Sequence, residues 1–271
     1  MPTKQNVCIY CGRNNVTKEH IYGKWSKKHS LSHFHNTPKM THIIQNYRDL
    51  NPDFPMEQYK GALDRPGSNR SQTLKIACRE CNGGWMKNNV DAAIPILTRL
   101  NYGKGIIQSE EFDVLAHWIA QFTMSYEFAD RKSAMIPQYV RSDFARSSIL
   151  RGYWVIALAF VSKISGKEPV FHKAMARLNK NAPADYMQAT TFMFGKLIAF
   201  SFFSQIPTPP PIFLTLASMG LITIYPHPPL GVCQPNFLHD DESVFEVMDA
   251  VSESVRYWIE GVNSNRVFTI T

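Results

Sequence analysis

Two cysteine pairs, Cys8-Ile9-Tyr10-Cys11 and Cys78-Arg79-Glu80-Cys81, are separated by 66 residues and account for four of the five cysteines in the chain. A C-x-x-C clip turns tightly enough to show both sulfurs to one ion, and two clips satisfy the preference of zinc for four soft ligands. Gly12 follows the first pair and supplies the conformational freedom such a turn needs. A structural zinc on Cys8, Cys11, Cys78 and Cys81 is therefore expected. It would gather a carboxylate, an imidazole and an amide: Glu19-His20 lies eight residues beyond Cys11, and Asn82 follows Cys81. An imidazole titrates near neutrality and can take a proton from water, while oxygen ligands suit a hard divalent cation. Adjacent residues on a strand point to opposite faces, so convergence of Glu19 and His20 needs a kink or a strand end. Asn82 has a second reading as a helix N-cap.

Composition sets the frame for these groups. Residues 1–105 carry 16 Lys and Arg against 7 Asp and Glu, a surplus of nine, whereas residues 106–271 carry 13 against 15. A basic first part beside a near-neutral remainder points to a polyanionic partner for the former. Met1 to Val7 is polar, with no secretory pattern, and metal-bound thiolates fit a reducing cytoplasm. Cys233 is expected as a small buried residue. No Lys, Arg, Asp or Glu occurs between Lys196 and Asp240, yet prolines interrupt that stretch repeatedly. Its longest proline-free apolar piece, 212–225, is shorter than the ~20 residues of a spanning helix, so no membrane partner is expected.

The positioning elements read as follows. Val16 begins a short strand bearing Glu19-His20, and residues 71–77 form a return strand into the second clip. Residues 27–70 show no sustained period and read as a loop insertion. Trp85-Met86 sit on a short helix running towards Leu97. Ser109 opens a helix carrying Phe112, Leu115, Ala116, Ile119, Phe122, Thr123 and Tyr126 on one face, with acids in its first turn. A second helix is expected over 137–150. Residues 153–161, 190–203 and 221–225 read as strands, and an amphipathic helix starts at Asp240. The expectation is a mixed α+β chain with a zinc module over 1–100 and an α+β domain over 101–271.

Cys8-x-x-Cys11-Gly12, Thr17-Lys18-Glu19-His20-Ile21, Lys24-Trp25 and Cys78-x-x-Cys81-Asn82-Gly83-Gly84-Trp85-Met86 together resemble the zinc-clipped branch of the HNH endonucleases, the ββα-metal nucleases. The likeness covers about residues 8–90 and is nearest to bacterial and phage HNH-like proteins. It implies metal-dependent hydrolysis of nucleic acid, DNA rather than RNA, with His20 as general base and Glu19 and Asn82 holding one Mg2+ or Mn2+. Two positions depart from the family pattern. Thr73 stands where an Asn braces the base, five residues before the third cysteine, and Asn69 is the other candidate brace. Glu19 stands where Asp or His is commoner. Paired sites for double-strand cuts would imply a homodimer. Lys24, Lys27, Lys28, Arg79 and Lys87 flank the site as candidate phosphate contacts. Trp85 reads as core rather than as a base-stacking platform, and His117 and Trp118 as packing. His29, His33, His35 and His42 read as exposed loop residues. The competing reading is a non-catalytic zinc module that binds nucleic acid or protein.

Overall fold

The sulfur-rich clip at Cys8–Cys11 leads into a strand, β1 (Val16–His20), and a short 3-10 turn at Lys24–His29. Two strands follow, β2 (Met40–Arg48) and β3 (Gln58–Ala62), then the return strand β4 (Thr73–Cys78). From there the chain enters a broken helix: α1 (Arg79–Cys81), a π-helical turn at Asn82–Met86, and α2 (Lys87–Leu100). Gly84, with ψ near −114°, lies outside helical geometry and marks the break. This computed structural model describes residues 7–29, 40–48, 58–62, 73–102, 105–164, 169–178, 185–207, 210–226, 229, 231–240 and 243–263.

The remaining elements are α3 (Glu111–Tyr126), α4 (Gln138–Ser147), β5 (Tyr153–Val161), β6 (Val170–Leu178), β7 (Asp185–Phe194), β8 (Leu197–Ser204), α5 (Pro210–Ser218), β9 (Ile222–Tyr225), β10 (Phe237–Leu238) and α6 (Ser243–Asn263). The α3 start differs in detail from the expectation. Ser109 bonds the neighbouring Glu110 carboxylate, and it is Glu111 that accepts the Gln108 N–H at 2.9 Å while pairing with Arg99 at 2.6 Å.

Among the described residues eight strands form one sheet in the order β10-β5-β8-β7-β6-β2-β3, with β9 also pairing β5. Each neighbouring pair in β5-β8-β7-β6 is antiparallel, whereas β2 runs parallel to β6 and β10 parallel to β5. A sheet covered on both faces needs nearly continuous apolar strands, and β5 and β8 read that way. On β5, Trp154, Ile156, Leu158 and Phe160 face the layer holding α3 and the cysteine clip, while Val155, Ala157, Ala159 and Val161 face α5 and α6. Full burial of such a side chain contributes roughly 1.5–3 kcal/mol.

Two differences from the sequence reading follow. Residues 27–70 are not only loop, because β2 and β3 lie within them and join the large sheet, Met40 facing Val170 and Arg48 facing Leu178. The apolar run 190–203 is not one strand but most of a hairpin, turning at Gly195-Lys196. Gly195 has φ +58°, and a Cβ there would stand 2.0 Å from Asn101 Oδ1, so side-chain-free geometry is required at this tip. One apolar core cluster takes residues from both sides of position 100. Tyr22 packs on Phe122 at 5.0 Å between ring centres and donates to the Met193 carbonyl at 2.9 Å. Among the described residues no helix is long and apolar enough to cross a membrane.

Candidate metal centre and the adjoining hairpin

Backbone hydrogen bonds shape the first clip before any side chain is considered. Cys8 N–H donates to the Arg13 carbonyl at 2.7 Å, and Gly12 N–H donates to the Cys8 carbonyl at 2.9 Å. Gly12 has φ +74°, the left-handed conformation that closes the turn. The second clip spans the end of β4 and the first helical residues, so its two sulfurs sit at a strand-to-helix corner. The four Sγ atoms of Cys8, Cys11, Cys78 and Cys81 lie within 4.8 Å of one another, and Cys11 to Cys78 measures 3.5 Å. A zinc tetrahedron with Zn–S near 2.3 Å needs sulfurs ~3.8 Å apart, so one such ion can reach all four. Cys8, Cys78 and Cys81 are buried and Cys11 is exposed. Burial pushes the Cys78 thiol up to about 11 and raises Cys81 as well, so metal binding must expel protons.

The clip is held from outside by the later part of the chain. Arg141 of α4 donates through Nε to the Ile9 carbonyl at 3.0 Å and through Nη1 to the Ile136 carbonyl. The same Nη1 meets Glu127 Oε1 at 3.0 Å, with Glu127 wholly buried. Gln138 and Ser142 both donate to the Tyr10 carbonyl, at 3.2 and 2.5 Å. Burial raises the Glu127 carboxyl to about 7, against the opposing pull of Arg141 and the backbone N–H groups of Met135 and Ile136. Trp85, expected as core, packs edge-on against Tyr10 at 4.8 Å and Phe144 at 5.5 Å.

Strands β1 and β4 form a two-stranded antiparallel pair leading into the helix. Thr17 faces Ala77 but Lys18 faces Lys75, so Ile76 is an extra residue in β4. Its carbonyl accepts the Ile9 N–H at 2.8 Å, which ties the bulge to the clip. Alternation puts Thr17 and Glu19 on one face of β1 and Lys18 and His20 on the other. Asn82 is not a side-chain N-cap. Its Nδ2 donates to Thr17 Oγ1 at 3.1 Å, and Thr17 in turn donates to the Ala77 carbonyl at 3.1 Å. The amide is therefore anchored on the Glu19 face, with its carbonyl oxygen taking no hydrogen bond among the described residues. Glu19 makes no hydrogen bond or ion pair among them either, and burial raises its carboxyl to about 7. His20 closes the strand opposite Thr73, the residue in the expected bracing position. Glu19 and His20 both line a pocket of about 20 Å³ completed by Val90 of α2 and by Gln121, Phe122 and Ser125 of α3.

Of the basic residues singled out, Lys24, Arg79 and Lys87 are exposed, and Lys87 pairs with Asp91. The side chains of Lys27, Lys28, His29 and His42 lie outside the described residues, as do His33, His35 and Asn69. His117 is half-buried against Phe144, Trp118 is buried, and Cys233 is partly buried with its backbone bridged to Ile107. Sequence reasoning missed Thr17 as the brace of Asn82. It also missed Gln121, which accepts from Asn89 at 2.7 Å and donates to the Met86 carbonyl at the end of the π-helical turn. Arg141 carried no local signal for its grip on the clip, since the Ile9 carbonyl it bonds is 132 positions away. Comparison with family models, with curated proteins and with solved structures finds no match for the chain.

Proposed function

We propose that the chain is a metal-dependent endonuclease of the HNH type, hydrolysing phosphodiester bonds in nucleic acid, DNA in preference to RNA. The observation that carries this reading is the anchoring of Asn82 by Thr17 on the strand face of Glu19, one residue from a four-sulfur cluster. Zinc would hold the clips as a structural ion. With its N–H bonded to Thr17, Asn82 offers a carbonyl oxygen, and Glu19 offers a carboxylate with no other partner among the described residues. That donor set fits one Mg2+ or Mn2+, which when bound would offset charge developing on the leaving oxygen. His20 would take the proton from the attacking water, the general-base role an imidazole can fill. Most of the barrier lowering in such hydrolysis is positional and electrostatic, which a rigid clip and hairpin supply.

One observation favours the second reading, a zinc module that binds nucleic acid or protein without cutting. The pocket beside Glu19 and His20 holds about 20 Å³, room for a water or two rather than for a phosphodiester. Plasmid cleavage with added magnesium or manganese separates the two. The nuclease reading expects nicking by the wild type and a drop of at least ~100-fold in His20→Ala, the ordinary size of a general-base contribution. Zinc content and unfolding temperature should be unchanged in that variant. Equal cutting by both proteins, or none with either metal, favours the binding module.

A further inference from the structure

The outer face of the β1–β4 hairpin carries a charge arrangement that packing does not account for. Lys18 and Lys75 stand directly opposite each other in the ladder, and both are exposed. Directly opposed residues in an antiparallel pair have Cβ atoms ~4.5–5.5 Å apart, and like charges there destabilise the sheet. Neither lysine makes a hydrogen bond or ion pair among the described residues. The neighbouring carboxylate, Glu19, is on the other face of the strand. The next ladder pair on the lysine face is His20 with Thr73, two residues along, a step of ~6.6 Å.

We propose that this face is a seat for a nucleic-acid backbone, with Lys18 and Lys75 holding phosphates of the strand that runs past His20. The direction of that path rests on the nuclease reading, whereas the seat itself does not. An anionic backbone relieves the repulsion between the two ammonium groups. Phosphates flanking a scissile bond must be held within reach of the imidazole, and these lysines form the ladder pair two residues before His20, which ends the strand and also lines the pocket beside Glu19. Two opposed cations with no counter-charge among the described residues, at a cost to the hairpin, are better explained by a ligand than by stability.

The test uses full-length, zinc-loaded His20→Ala protein without added magnesium or manganese, so that binding is read apart from cutting. Anisotropy of a labelled DNA duplex is followed across a salt series for this parent and for the same protein carrying Lys18→Gln and Lys75→Gln. Two lost phosphate contacts should weaken binding at each salt concentration and flatten the log–log salt slope by about 1.8. The unfolding temperature should hold or rise, because a like-charge pair has been removed. A Lys75→Glu variant, which gives Lys18 an opposite charge, should bind more weakly still and be at least as stable. An unchanged slope and affinity in the double variant, or no DNA binding by the parent at low salt, overturns the seat. Absence of metal-dependent cutting by the wild type, with the slope change intact in the binding series, counts against the nuclease reading alone.

Discussion

The clip-and-hairpin region and the eight-stranded sheet solve the problem of holding a shape in opposite ways. In the sheet, β5 and β8 are buried along almost their whole length, and both faces are sealed by helices. Its geometry is over-determined by many interchangeable apolar contacts. The hairpin has two strands, an exposed outer face and few apolar residues, so it depends on a small number of specific ties. Those are the sulfur cluster, the Asn82–Thr17 bond and the grip of Arg141, Gln138 and Ser142 on the Ile9 and Tyr10 carbonyls. A site that needs a few groups placed accurately is better built on the second plan, because each tie fixes one named atom.

The sharpest way to break that contrast is Cys78→Ser. Structural zinc contributes on the order of 10 kcal/mol to folding in small zinc modules, so this change should abolish zinc binding and disorder the hairpin. Elemental analysis should find no zinc, and hydrogen exchange should show lost protection in β1 and β4 while β5 and β8 stay protected. Retained hairpin protection without zinc would mean that the sulfur cluster is not one of the essential ties.

Next in size is the buried ion pair. Arg141→Met leaves Glu127 uncompensated and should cost about 3–5 kcal/mol in urea unfolding. Combining it with Glu127→Leu should recover a large part of that loss, since removing both charges ends the desolvation problem. A double variant no better than the single one would assign the effect to the carbonyl contacts with the clip.

The smallest effect belongs to the sheet. His172 is fully buried on β6, with Nδ1 2.8 Å from Thr190 Oγ1 and Nε2 3.0 Å from the Ser133 carbonyl. Burial lowers its pKa to about 4 from an ordinary 6.5. The unfolded chain therefore takes up the proton first as pH falls. This contribution is complete above pH 6.5 and is lost progressively towards pH 4, amounting to roughly 3 kcal/mol. Stability measured across that window should decline less steeply for His172→Gln than for the wild type. Parallel declines would indicate that His172 becomes charged without cost.

The legibility of the chain divides along the same line. The cysteine cluster could be read directly, because ligand spacing is a hard constraint that does not depend on surroundings. Residues 153–161 were legible as a strand since a continuous β-branched and aromatic run has few other uses. The strands β2 and β3 were not, for residues 40–48 mix Thr, His, Gln, Asn and Arg with the apolar set and show no clean alternation. What makes β2 a strand is the partner β6, more than a hundred residues later, and β3 in turn pairs with β2. The turn at Gly195 was hidden because the residues on both sides are equally apolar, and only the approach of Asn101 reveals why glycine stands there. Glu19, His20 and Asn82 could be named from their spacing to the cysteines, whereas the brace on Asn82 came from a threonine with no motif of its own.

The parallel pairing of β2 with β6 also constrains the order of assembly. Met40 and Val170 are 130 positions apart, yet β2 lies between the two cysteine pairs in the chain. During vectorial synthesis the sulfur ligands emerge well before β6 exists. The hairpin can close early around a metal ion, leaving the apolar side chains of the intervening segment to wait for their partner strand. Contacts of such long range form late and slowly, and a strand that waits is open to wrong pairing. The early-formed clip thus serves as a tether that shortens the search β2 must make once the rest of the sheet appears.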